Sequence, residues 1–285
     1  MESIPIRKIN LSRREPAFPE GFDIRDVQDL LAGKDMVQEL HRHDFFYILT
    51  LKKGTGNHEI DFTSYEVGDN SVFFMRPGQV HQLTLKAGST GYLMQFNTDF
   101  FYSHDQVSGQ RLRKTSNTNF YQLGSDKFKK LLSIVSDIFQ EYTNRSEGYL
   151  EVIKANLGIF FIELVRLNNI SHSDSVNSYT QEHLEKFLEL LETHISRHKQ
   201  VSEYARMLNL SIYQLNTITK TTLGKTCSEL INEHIILESR RYLLATSGQV
   251  KEIAYHLGYE DVSYFIRFFK KHTGYTPEAF RHHFR

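Results

Sequence analysis

Three histidines are the side chains of this sequence best suited to chemistry. His41 and His43 stand two apart in "HRHDFFYILTLKKGTG", and His81 follows in "VGDNSVFFMRPGQVHQL". On a β-strand, side chains two residues apart share a face, so the first pair points the same way. Three imidazoles hold Zn²⁺ or Fe²⁺ when they converge, and leave coordination positions open. The competing reading makes His41 and His43 polar pocket or structural residues and His81 a hydrogen-bonding turn residue. A second group is cationic: Arg267, Lys270 and Lys271 lie in "AYHLGYEDVSYFIRFFKKHTGYTPEAFR", where basic residues alternate with aromatic and apolar ones. A guanidinium pairs bidentately with a guanine edge, whereas an ammonium contacts phosphate and fixes register. No Ser/His/Asp order, P-loop or dinucleotide-type glycine pattern is present, and no catalytic residue is assigned.

The histidines need strands to hold them, and from about residue 36 to residue 97 the pattern has period two. "NHEIDF" sets His58, Ile60 and Phe62 against Glu59 and Asp61, and "HQLTLK" sets His81, Leu83 and Leu85 against Gln82, Thr84 and Lys86. Gly54–Gly56, Gly68–Asp69–Asn70 and Pro77–Gly78 separate short strands, which predicts a small antiparallel barrel or jelly roll. After Ser125, a candidate N-cap, the period lengthens. Phe128, Leu131, Leu132, Val135, Ile138, Phe139 and Tyr142 form one helical stripe, and Leu150, Ile153, Leu157, Phe161 and Leu164 another. Either the barrel covers the second stripe or a two-fold dimer does. The polar run 168–180 reads as a linker, and everything beyond it as helix.

The basic residues belong to a repeat. "YARMLNLSIYQLNTITKTTLGKTCSEL" is a weaker twin of the segment quoted above: Ala205 matches Ala254, Leu208 matches Leu257, Asn209 matches Gly258, and Gly224 matches Gly274, with one extra residue in the second turn. Each copy makes sense as a helix-turn-helix. A small residue permits a close helix crossing, and Asn or Gly accepts a left-handed turn. The second helix of each then starts at Ser211 or Asp261, burying Leu215 and Ile218 or Phe265, Phe268 and Phe269. Its polar side carries Tyr213, Asn216, Thr217 and Lys220, or Val262, Ser263, Arg267, Lys270 and Lys271. "KTCSELINEHIILESRRYLLATSG" between the copies predicts a connecting helix of about 20 residues, long enough to set two recognition helices about one DNA turn apart. Thr276–Pro277 supplies a cap and first-turn proline for a last helix.

The chain of 285 residues is long enough for two domains, and its net charge of zero hides a split. Residues 1–193 carry 21 Lys+Arg against 26 Asp+Glu, and residues 194–285 carry 13 against 8, so the basic half is the one with the repeat. The lone Cys227 excludes an internal disulfide framework and reads as a small buried hydrophobe. No signal-peptide core or membrane-length apolar run is present, which predicts a cytoplasmic protein without a membrane partner.

The run "IAYHLGYEDVSYFIRFFKKHTGYTPEAFR" closely resembles the signature of the AraC/XylS family of bacterial transcription regulators, over about residues 183–285. The resemblance implies that Tyr213, Asn216 and Thr217, and Val262, Ser263 and Arg267, read double-stranded DNA. Two positions depart from the family's habit: Thr217 stands where Arg is frequent and Thr219 where an aromatic is, so base readout rests more on the second unit. The front half resembles the two motifs of the cupin barrel that many members carry. In metal-binding cupins a Glu follows the His pair by four or five residues; here Tyr47 and Ile48 occupy those places. Tyr47 in place of a carboxylate favours an organic effector held by hydrogen bonds and stacking, so His41, His43, Tyr47 and His81 are assigned to a small-molecule site, with no metal and no cofactor.

The expected architecture is α+β: a cupin-like sensor over 1–122, a helical dimerisation segment over 123–167, a linker over 168–180, and an all-α double helix-turn-helix domain over 181–285. The expected function is a sequence-specific regulator, taken as an activator, that contacts RNA polymerase and works as a homodimer. The alternative is a cupin-type metalloenzyme with a helical appendage.

Overall fold

The computed structural model describes residues 6–7, 21–101, 106–171, 178–246 and 248–284. The chain divides into two compact units that meet in sequence between His172 and Ser173.

The first unit is a β-sandwich with helices against one sheet. Among the described residues one sheet has the order β1-β3-β8-β5-β6 and the other β10-β7-β4-β9-β2. The strands are β1 (Ile6–Arg7), β2 (Phe22–Asp26), β3 (Met36–His43), β4 (Phe46–Lys53), β5 (Gly56–Ile60), β6 (Thr63–Val67), β7 (Ser71–Met75), β8 (Val80–Leu85), β9 (Thr90–Phe96) and β10 (Phe120–Gln122). All pairings are antiparallel except β1 with β3. The helices are α1 (Val27–Leu31), α2 (Thr98–Phe101), α3 (Gln106–Ser116), α4 (Ser125–Asn144) and α5 (Tyr149–Ser171).

Two cores follow from this layering. Between the sheets Tyr47, Leu49, Leu51, Phe73 and Met75 meet Ile60, Val67, Leu83 and Leu85. On the other side of the second sheet Phe46, Ile48, Val72, Phe74, Met94 and Phe96 meet Phe128, Leu131, Val135 and Ile138 of α4 and Ile153, Leu157, Phe161 and Leu164 of α5. Phe161 stacks on Phe74 at 5.8 Å. The apolar stripe of α5 is therefore covered by the barrel. A strand buried on both faces reads as a continuous apolar run, which is why "SVFFM" is buried at every position. Two local expectations are corrected. The N-cap of α4 is Gly124, with Ser125 its first helical residue. Phe62 stands in the β5–β6 turn at φ +69°, because the strand ends at Ile60.

The polar run read as a linker gives its first residues to α5, which continues to Ser171, and its last to α6 (Ser178–His194). Residues 172–177 lie outside the described residues. The second unit continues with α7 (Val201–Met207), α8 (Ile212–Leu223), α9 (Cys227–Ala245), α10 (Val250–His256), α11 (Val262–Thr273) and α12 (Pro277–Phe284). Its helix starts are chemically specified. Ser211 with Gln214 and Thr226 with Glu229 form capping boxes, and the Asp261 carboxylate accepts from the Ser263 and Tyr264 amides at 2.8 and 3.1 Å. The two turns use left-handed residues, Asn209 at φ +55° and Gly258 at φ +74°. Arg281 donates to the Leu243 and Gly248 carbonyls at 2.9 and 2.7 Å, which ties α12 to the end of α9.

Candidate functional site

The histidines are brought into one place by a β-bulge. Between Gln38 and His41 on β3 the register against β8 shifts: Gln38 pairs with Leu83, yet His41 pairs with His81. The extra residue changes the inward phase of β3 from even to odd positions, so His41 and His43 turn into the sandwich beside His81. Their Nε2 atoms form a triangle: His41 to His43 is 3.1 Å, His43 to His81 2.8 Å, and His81 to His41 2.9 Å. His41, His58 and His81 are fully buried and His43 nearly so.

Around the triangle, His41 Nδ1 donates to the Glu39 carbonyl at 2.7 Å, which turns its Nε2 inward. His81 Nδ1 contacts His58 Nε2 at 2.8 Å. Burial, and secondarily the neighbouring His41, pushes the His58 pKa down to about 3, so that ring is neutral. From the opposite sheet the Tyr47 ring stacks on His43 at 5.4 Å, and Phe73 lies 4.8 Å from His58. His41, His43, Tyr47 and His81, paired in the sequence reading, do meet. His58 is the member that reading left unassigned. Its signal was present, since His58 alternates in phase with Ile60 and pairs in register with Leu83 of β8.

In the second unit α8 and α11 repeat one another, 12 residues each, and each ends on a left-handed glycine, Gly224 or Gly274. α9 is 19 residues long, about 28 Å at about 1.5 Å per residue, and contacts both. Leu215 and Ile218, and Phe265 and Phe269, are buried, while Phe268 is only half-buried. Outward stand Tyr213, Thr217, Lys220, Ser263, Arg267, Lys270 and Lys271. Arg267 is 70% exposed, and its nearest carboxylate, Asp261, is 3.9 Å away. Two residues assigned to DNA contact face partly inward. Val262 is half-buried, and Asn216 Oδ1 accepts from the Cys227 amide at 3.0 Å, capping the start of α9. Cys227 is buried beside Thr219, and burial pushes its thiol pKa up. Tyr264 and Gln214 are exposed on the same helices and were not singled out. Their pattern resembles any solvated helix position.

Residues 33–142 match the AraC-like ligand binding domain, and residues 204–283 match a helix-turn-helix domain. The chain belongs to the AraC/XylS family of transcription regulators. Among similar proteins of this family is the HTH-type transcriptional activator RhaR of Mannheimia succiniciproducens, 24% identical over 86% of this chain and 87% of its own. RhaS of Escherichia coli O157:H7 is 23% identical over 93% of this chain and 94% of its own. Among solved structures, ToxT from Vibrio cholerae O395 is similar over 92% of this chain and 97% of its own, at 19% identity and a TM-score of 0.44. As an AraC/XylS regulator the chain couples a ligand-binding domain to a DNA-binding one, and it is not an enzyme. The metalloenzyme alternative is thereby set aside. No helix among the described residues is long and apolar enough to cross a membrane.

Proposed function

We propose that this regulator is an activator working in the cytoplasm, in which α8 and α11 enter successive major grooves of one operator and a ligand in the sandwich sets DNA occupancy. The observation that carries it is the duplicated helix with outward Arg267, Lys270 and Lys271 on one copy and Tyr213, Thr217 and Lys220 on the other. Arg267 reads a base, the lysines hold phosphates, and Ser263 and Val262 approach the groove at the helix N-terminus. Asn216 supports this surface through its bond to α9. Activator status is carried over from relatives named transcriptional activators, and implies contact with RNA polymerase.

The regulator acts as a homodimer. With Ile153, Leu157 and Leu164 spent on the barrel, the face left for a second copy is the outward side of α5, where Val152 is 39% and Ile159 46% exposed. A ligand shifts DNA affinity only by the difference between its affinities for the two states. Selecting bound sequences from random DNA, and then titrating salt, tests the reading. A two-part motif whose halves lie about one helical turn apart is expected, with affinity falling steeply as salt rises. Absence of sequence preference overturns it.

A further inference from the structure

The two helix-turn-helix modules are joined by more than α9. A second bridge runs from the loop before α7 to the turn before α11, and Lys199 makes it. On one side that loop is fixed to the first module. The Glu203 carboxylate on α7 accepts from the Lys199 and Gln200 amides at 3.1 and 3.0 Å, and the hydroxyl of buried Tyr204 donates to the His198 carbonyl at 2.7 Å.

On the other side the Lys199 side chain crosses to the second module. Its Nζ donates to the Ser196 carbonyl of its own loop at 3.2 Å and to the Gly258 carbonyl, 59 residues on, at 3.1 Å. It also lies 5.0 Å over the ring of Tyr259. Tyr259 is buried and packs on Phe265 at 5.2 Å and Phe268 at 5.9 Å, both on α11. The ammonium therefore bears on the base of the second reading helix. Its three N–H donors face two carbonyls and an aromatic ring, so this lysine is spent inside the protein, whereas Lys220, Lys270 and Lys271 stand outward.

The mechanical consequence concerns twist. α9 contacts both modules, but two bodies held on one rod retain a rotation about its axis. An attachment that does not pass through the rod removes that rotation. On DNA the rotation matters, because one added base pair moves a half-site by about 3.4 Å and turns it by about 34°. We infer that Lys199 is a positioning residue for operator reading: by joining the Ser196 and Gly258 carbonyls it fixes the twist of α11 relative to α8, and so selects the interval between the two half-sites. This role rests on the two-groove reading above; the bridge itself does not.

Full-length Lys199→Met keeps the aliphatic stem over Tyr259 and removes the donors. It is compared with wild type on the selected operator, on versions with one base pair added to or removed from the interval, and on each half-site alone. Wild type is expected to bind the altered intervals at least about 10-fold more weakly than the selected one, and Lys199→Met to bind all three within about 3-fold of one another, with half-site affinities unchanged. A variant that keeps the wild-type preference overturns the role of Lys199. Equal fractional losses on every DNA mark a merely stabilising lysine and overturn it too. A wild type indifferent to the interval overturns the two-groove reading and this role with it. The bridge is tested without DNA by spin–spin distances between labels at Lys220→Cys and Lys271→Cys, Cys227 being buried. A distribution that broadens or shifts on adding Lys199→Met supports the bridge, and an unchanged one overturns it.

Discussion

Gly258, the left-handed residue of the second helix-turn-helix, lies against the Ser196 carbonyl. A Cβ at Gly258 would stand 1.8 Å from that oxygen. Lys199 Nζ donates to both carbonyls, Ser196 at 3.2 Å and Gly258 at 3.1 Å, and lies 5.0 Å over the Tyr259 ring. The turn of one module is thus clamped to the loop after α6. Gly258→Ala adds left-handed strain to a clash with backbone that cannot step aside, and is expected to cost about 3 kcal/mol or more in chemical denaturation. At Asn209, the equivalent turn of the first module, the Ala substitution meets only the conformational cost, about 1 kcal/mol.

Base readout and phosphate contact differ in their response to sequence. Arg267→Ala is expected to weaken the selected operator by about 1–3 kcal/mol and relax preference at one base pair, whereas Lys270→Ala weakens cognate and random DNA alike and reduces the salt slope by about one. Fluorescence anisotropy on both DNAs measures this. Equal losses on both for Arg267→Ala contradict its role.

The dimer face proposed on α5 and the face that covers the barrel are separable by mutation. Ile159→Glu is expected to leave a folded monomer, because its side chain is nearly half exposed, while Leu157→Glu buries a charge in the core and prevents folding. Sedimentation and circular dichroism of both variants decide. A wild type that is monomeric at working concentration removes the dimer.

Acid loosens the DNA-binding unit through its capping boxes. The Glu203 carboxyl is held below its ordinary 4.5, first by His198 at 2.8 Å and then by the Gln200 amide. A depressed carboxyl contributes fully above about 4.5 and loses its contribution as pH falls through the lower folded value. The melting temperature of wild type is therefore expected to exceed that of Glu203→Gln at pH 6, and the gap to narrow as pH falls below 4.5. A gap independent of pH refutes the assignment.

Much of this was legible along the chain. The Ala205/Ala254, Asn209/Gly258 and Gly224/Gly274 correspondences specify close crossings and left-handed turns locally, and both modules formed where they said. The inward alternation of His81, Leu83 and Leu85 held for the same reason, since a strand pairs by a fixed period of two. Asn216 was less legible: its polarity suited a DNA-facing position, but Oδ1 is taken by the Cys227 amide, a partner eleven residues on that only the packing of α8 on α9 supplies.

By itself the sequence determined the strand-rich front, the helical stripes, the caps and the doubled DNA reader, because each depends on neighbours within a few turns of chain. Tertiary structure alone decided three things. It set the bulge that turned His41 and His43 toward His81, added His58 from β5, and laid the α5 stripe on the second sheet. Those outcomes hang on register and on which surface meets which, and long-range burial, not local preference, selects among the registers a periodic pattern allows.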